Sequence, residues 1–171
     1  MSGKAIAWII LALVALQRLS ELPLARRNTR ALLARGAIEI GAGHYPLIVI
    51  LHALWLLAIL WQLPDPVSIN WAMMAIFMVL QGLRLWVVAT LGIYWTTRII
   101  SLPGAPLVRR GPYRILRHPN YLAVVGEIAV LPLVFGEIWV AIGFSLANAA
   151  LLAWRIHLEE TGLAPRREGA A

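Results

Sequence analysis

Residues 118–160 read "HPNYLAVVGEIAVLPLVFGEIWVAIGFSLANAALLAWRIHLEE", and this stretch decides the fold. Two apolar runs, 121–135 and 138–158, are joined only by Gly136 and Glu137. So short a connection turns the second run back antiparallel to the first, and the pair reads as a tight helical hairpin. The open ends of a hairpin are neighbours. His118, Pro119, Asn120 and Tyr121 at one end therefore meet Arg155, Glu159 and Glu160 at the other. Arg155 and Glu159 are four residues apart and share a helix face.

Three further apolar runs lie upstream, at 5–24, 45–63 and 69–91. About 20 apolar residues cross a hydrocarbon core of about 30 Å. The chain of 171 residues is 61% hydrophobic and only 13% charged, with a mean hydropathy of +0.78. Soluble domains carry about a quarter charged residues. The sequence predicts an all-α integral membrane protein with five transmembrane helices, folded as one domain over 1–171. Residues 1–91 hold three N-terminal spans with a cytoplasmic loop at 25–44. Residues 92–171 hold a long loop, the helical hairpin and a tail. The run at 5–16 is like a signal-peptide core, but Gln17-Arg18-Leu19-Ser20-Glu21 follows instead of a small-residue cleavage site, so it reads as a retained helix.

The chain has 15 basic and 8 acidic residues, a net charge of +7. Such a balance is compatible with nucleic acid binding. Here, however, the arginines sit in connections between apolar runs, the pattern of positive-inside topology and of contact with anionic membrane lipids. No nucleic-acid partner is expected. Arg26, Arg27, Arg30 and Arg35 follow the first run, Arg98, Arg109, Arg110, Arg114 and Arg117 follow the third, and Arg166 and Arg167 follow the last. The other connections carry only Asp65 and Glu137. All basic segments are cytoplasmic together if the N-terminus is outside and the C-terminus inside, as five spans require.

Arg18, Glu21, Gln81, Arg84 and Glu127 then all fall in the cytoplasmic half of the membrane. Glu127 lies six residues past Tyr121, about 9 Å along a helix. Ionisable groups at such depth pair with one another or line a cavity. Arg18 and Glu21 read as a structural pair, and Arg84 and Glu127 as the wall of a polar cavity that admits a substrate. His52, alone in the second run, reads as a packing residue.

Absence of cysteine excludes disulfides, thiolate nucleophiles and Cys-based zinc sites. No metal is expected, because the spacing of His118, His157, Glu159 and Glu160 matches no zinc pattern and Arg117 and Arg155 oppose a divalent cation. No Ser-His-Asp arrangement is evident. The loop at 92–120 is rich in Gly, Pro and Arg, but Ile99, Ile100, Leu107, Val108, Tyr113, Ile115 and Leu116 anchor it. Cations, an imidazole, phenols and carboxylates converging beside the membrane suit a small zwitterion that carries its own positive charge. Carboxylates stabilise its cation, Arg and His take its carboxylate, and aromatic faces stack on a base or a sulfonium. S-adenosylmethionine answers that description.

"LVRRGPYRILRHPNY" at 107–121 followed by "RIHLEE" at 155–160 resembles the isoprenylcysteine carboxyl methyltransferase family, membrane enzymes that use S-adenosylmethionine and release S-adenosylhomocysteine. The shared pattern is Arg-His-Pro-x-Tyr and then paired glutamates after a helical hairpin. The resemblance implies cofactor contacts from Leu107, Val108, Tyr113, His118, Pro119, Tyr121, Glu159 and Glu160. It implies that Arg155 faces the methyl acceptor and that Arg155 and Glu159 carry the catalysis. Ala105 and Arg98 stand where eukaryotic members have His or Gln, and the tail is short, which departs from prenylated-peptide recognition. The N-terminal half is similar to a bacterial branch that O-methylates alkylpyrones or alkylresorcinols. The implied enzyme lies in a bacterial inner membrane, its active site facing the cytoplasm. It moves a methyl group to a carboxylate, phenol or enol oxygen of a lipophilic acceptor that enters from the bilayer. A phenol calls for a base, with Glu127, His157 and Glu160 as candidates. Phospholipid N-methylation and non-enzymatic lipid binding are the rival readings.

Overall fold

The computed structural model describes residues 2–106 and 108–168, with backbone only for residues 44 and 161–168. The described residues form five α-helices: α1 Gly3–Leu33, α2 Tyr45–Gln62, α3 Trp71–Leu91, α4 Pro119–Val134 and α5 Ile138–Glu168. Two three-residue strands, β1 Ile38–Ile40 and β2 Ile99–Ser101, form a small antiparallel ribbon with Glu39 opposite Ile100. Four helices are long and apolar enough to cross a membrane, and the shorter α4 is apolar as well. At 16 residues, α4 spans about 24 Å.

α1 runs well past the expected end of the first span, so the cytoplasmic loop expected at 25–44 is helix as far as Leu33. Arg26, Arg27, Ala31, Leu32 and Leu33 are good helix formers, and the first glycine after them is Gly36, which adopts a left-handed φ of 86°. Thirty-one residues make a rod of about 46 Å, longer than a bilayer core, and the surplus carries the arginines. Pro23 sits inside this helix. Ser2 starts it by accepting a hydrogen bond from the Ala5 N–H.

The main core joins all five helices. Leu11 and Val14 of α1, Trp55 and Ile59 of α2, Phe77 of α3, Leu131 of α4 and Val140 of α5 are buried against one another. Gly126 lets α4 approach α3 closely, since a Cβ there would lie 2.7 Å from a Leu80 methyl. In α4, Pro119 occupies the first turn, where its missing N–H removes no hydrogen bond.

Four strongly exposed tryptophans mark one end of the bundle. Trp8 begins α1, Trp61 ends α2, Trp71 begins α3 and Trp139 begins α5. Alternating helix direction brings all four to the same side, as an aromatic belt at a membrane interface requires. The arginine-rich segments gather at the opposite side.

Candidate active site

The segment between α3 and α4 is pinned at several points. Asn28 of α1, 3% exposed, donates through its side-chain amide to the carbonyls of Gly92 (3.0 Å) and Trp95 (2.8 Å). Arg110 donates to the Thr90 carbonyl at 3.1 Å, and Arg155 to the Thr97 carbonyl at 3.0 Å. Arg98 binds Glu39 at 3.0 Å and lies over the Tyr45 ring at 4.9 Å. Gly111 (φ 56°) passes so close to Thr90 that a Cβ would meet its hydroxyl at 2.5 Å.

Between this segment and the hairpin lies a polar cavity of about 350 Å³. Val108, Tyr113, His118, Tyr121, Arg155 and Glu159 line it. The Tyr121 hydroxyl donates to Glu159, and Arg155 Nε donates to the Tyr121 oxygen at 3.1 Å. The His118 and Tyr121 rings stack at 5.2 Å, 14° from parallel. Burial, with help from the Glu159 charge, pushes the Tyr113 phenol up to about 12, so it remains a neutral donor at cellular pH. His118 Nε2 and Asn120 Oδ1 are buried with no hydrogen-bond partner among the described residues. In a built site such atoms await a ligand.

A second, apolar cavity of about 340 Å³ lies between α1, α2, α4 and α5. Leu19, Ile48, Leu56 and Val124 give it greasy walls, and Arg18, Glu21, His52, Arg84 and Asn148 give it polar points. Trp95, Thr96, Asn120, Tyr121 and Arg155 line both cavities. The two chambers thus share one partition.

Residues 72–165 match the model of the isoprenylcysteine carboxyl methyltransferase family. The chain is 36% identical over 160 residues to the uncharacterized protein YpbQ of Bacillus subtilis (strain 168), covering 91% of this chain and 95% of the relative. The chain belongs to the isoprenylcysteine carboxyl methyltransferase family. An uncharacterized Haemophilus influenzae protein is 29% identical over 151 residues, 85% of this chain and 88% of that one. No solved structure is a significant match.

The structure separates the residues singled out in the sequence by place. Val108, Tyr113, His118, Tyr121, Arg155 and Glu159 come together on the polar cavity. Pro119 is buried and starts α4 without lining either cavity, and Glu160 lines neither cavity but forms an exposed ion pair at 3.1 Å with Arg117, which does line the polar one. Leu107 lies outside the described residues. Arg84 and Arg155 reach the apolar cavity, whereas Glu127 does not. Glu127 is fully buried behind Arg84, taking hydrogen bonds of 2.7, 2.8 and 3.2 Å from it and one of 2.6 Å from Arg18. Glu21 closes the network on Arg84 at 3.1 Å.

Asn120, Trp95 and Thr96 are the partition residues that the sequence reading did not select. Asn120 occupies the unspecified position of Arg-His-Pro-x-Tyr, although an amide in the first turn of an apolar helix is itself a signal. Trp95 and Thr96 follow α3 in an irregular turn, where no periodicity points.

Proposed function

We propose that this methyltransferase uses S-adenosylmethionine to methylate an oxygen of a lipophilic acceptor. The cofactor takes the polar cavity from the cytoplasmic side, and the acceptor takes the apolar cavity from the bilayer. The observation that carries this reading is the shared partition: a polar chamber and a greasy chamber divided by Asn120, Tyr121 and Arg155. When bound, the cofactor supplies an electrophilic methyl group on a positively charged sulfur.

The residues present fit that cofactor. The orphaned Asn120 Oδ1 suits an ammonium or hydroxyl donor, the orphaned His118 Nε2 can donate or accept according to its tautomer, and the Glu159 carboxylate offers a further acceptor and a negative charge. Tyr113 and the stacked His118–Tyr121 pair offer ring faces. Tyr121 donates to Glu159 and is itself braced by Arg155, which also reaches the acceptor side, where its cation favours an oxygen nucleophile over an amine. The chain's contribution is alignment and exclusion of water.

The supporting topology has five spans, the N-terminus outside and the C-terminus and polar cavity inside, in a bacterial plasma membrane. The tryptophan belt opposite the arginine end favours that orientation. The test is to incubate membranes containing the protein with methyl-labelled S-adenosylmethionine and examine the lipid extract by mass spectrometry. A labelled O-methyl lipid is expected. Label in a phospholipid amine supports N-methylation instead, and an unlabelled extract removes the enzymatic reading.

A further inference from the structure

Among the groups in the apolar cavity, His52 stands apart. It lies on α2, outside the segment matched by the family model. Its Nδ1 is 2.8 Å from the Ile48 carbonyl oxygen, one helical turn back. A carbonyl oxygen only accepts, so Nδ1 carries the proton of the neutral ring. Nε2 then keeps its lone pair. The ring is braced edge-on against Trp55, with centroids 6.3 Å apart, and it lines the same cavity as Asn120, Tyr121 and Arg155.

The other candidate bases near this cavity are engaged. Both Glu127 oxygens are taken by Arg84 and Arg18, and Glu21 is paired with the same two arginines. Glu159 accepts from Tyr121 and lines only the polar chamber. Glu160 pairs with Arg117, and His157 lines neither cavity.

Building on the methyl-transfer reading above, we infer that His52 is the general base for a weakly acidic lipid hydroxyl, a phenol or enol, held in the apolar cavity. A phenol with a pKa near ~10 is about 0.1% ionised at pH 7, so its oxygen is a poor nucleophile until its proton has somewhere to go. The acceptor O–H bond breaks and its proton moves to Nε2, giving an imidazolium. The oxygen's electron pair forms the bond to the methyl carbon. The sulfur–methyl bond breaks with its pair retained on sulfur, leaving a neutral thioether and a neutral ether. The imidazolium returns its proton to water after product leaves. The charged and titratable groups facing His52 are Arg18 and Glu21 from α1, Tyr45 at the start of α2, Arg84 from α3 with Glu127 behind it, Tyr121 from α4 and Arg155 from α5. A carboxylate acceptor needs no such base, so His52 also marks the acceptor class.

The test uses the full chain in lipid nanodiscs, with a long-chain alkylresorcinol and a long-chain fatty acid as alternative acceptors. Wild type is expected to methylate the alkylresorcinol. H52Q is expected to bind S-adenosylmethionine as wild type does, by calorimetry, while kcat falls by about 100-fold or more with KM nearly unchanged. The H52Q rate should climb toward the phenol's own ionisation, closing the gap at high pH, and imidazole should partly restore H52A. Without cofactor, the Nε2 resonance of nitrogen-labelled His52 should shift on addition of alkylresorcinol. Equal kcat and equal pH profiles for H52Q and wild type overturn the assignment. Methylation of the fatty acid alone overturns it while leaving the O-methyltransferase reading intact. A wild type that binds no S-adenosylmethionine removes both.

Discussion

Two charged clusters lie toward the arginine-rich end of this bundle, and they differ in what is left unpaired. In the Arg18–Glu21–Arg84–Glu127 network, two cations meet two anions, and the buried carboxylate of Glu127 takes four N–H contacts. In the Tyr121–Arg155–Glu159 cluster, the neighbouring His118 and Asn120 keep buried polar atoms with no partner. The first cluster spends both of its carboxylates on its two arginines, leaving Arg18 Nε as its one partnerless buried atom among the described residues, and holds α1, α3 and α4 together. The second is open toward a cavity. Charge density alone therefore does not mark a binding site; the stronger pointer is unspent hydrogen-bonding capacity on the wall of a polar cavity, as at His118 and Asn120.

The sharpest way to break this contrast is to open the closed cluster. Glu127→Ala leaves Arg84 and Arg18 buried without their main partner, and a broken buried pair costs about 3–5 kcal/mol. Thermal unfolding in detergent should show a loss of that order. A change within error would mean that the network is not structural. In the open cluster, Glu159→Ala should leave the unfolding temperature near wild type while weakening S-adenosylmethionine binding by about 100-fold, a difference of about 2.7 kcal/mol.

A smaller effect comes from the opposite face. Glu137, 8% exposed in the α4–α5 turn, has no partner for either carboxylate oxygen among the described residues. Burial pushes its carboxyl up to about 7 from an ordinary 4.5. A raised carboxylate pKa means that the unfolded chain releases the proton first, so stability is full below 4.5 and falls as pH rises toward 7. Glu137→Gln should abolish this decline, which unfolding measured across that pH range would reveal. The smallest effect is expected from Glu160→Gln. It removes an exposed pair with Arg117 and should change cofactor affinity by less than about threefold, since such pairs contribute little.

The five apolar helices and the hairpin are legible in the sequence because run length and a two-residue connection leave few alternatives. The hairpin also makes His118, Tyr121, Arg155 and Glu159 legible as neighbours, although they are far apart in the chain. The helical continuation of α1 is not legible, because clustered arginines suggest a loop although arginine is a good helix former. The β1–β2 ribbon joins two three-residue segments too short to show a period. The place of Glu127 depended on which arginines would surround it. Intramembrane depth can be counted along a helix, but rotation toward Arg84 follows from close α3–α4 packing at Gly126. His52 looked isolated only along its own helix. Its significance comes from the chamber that α1, α4 and α5 build around it.

The central claim is that the polar chamber beside the hairpin holds S-adenosylmethionine. Calorimetric titration of the cofactor into the purified full chain, wild type and Glu159→Ala side by side, tests it most directly. Saturable one-to-one binding to wild type, lost in a variant that unfolds at the same temperature, is the predicted result. Absence of binding to wild type, or equal binding to both proteins, would contradict it.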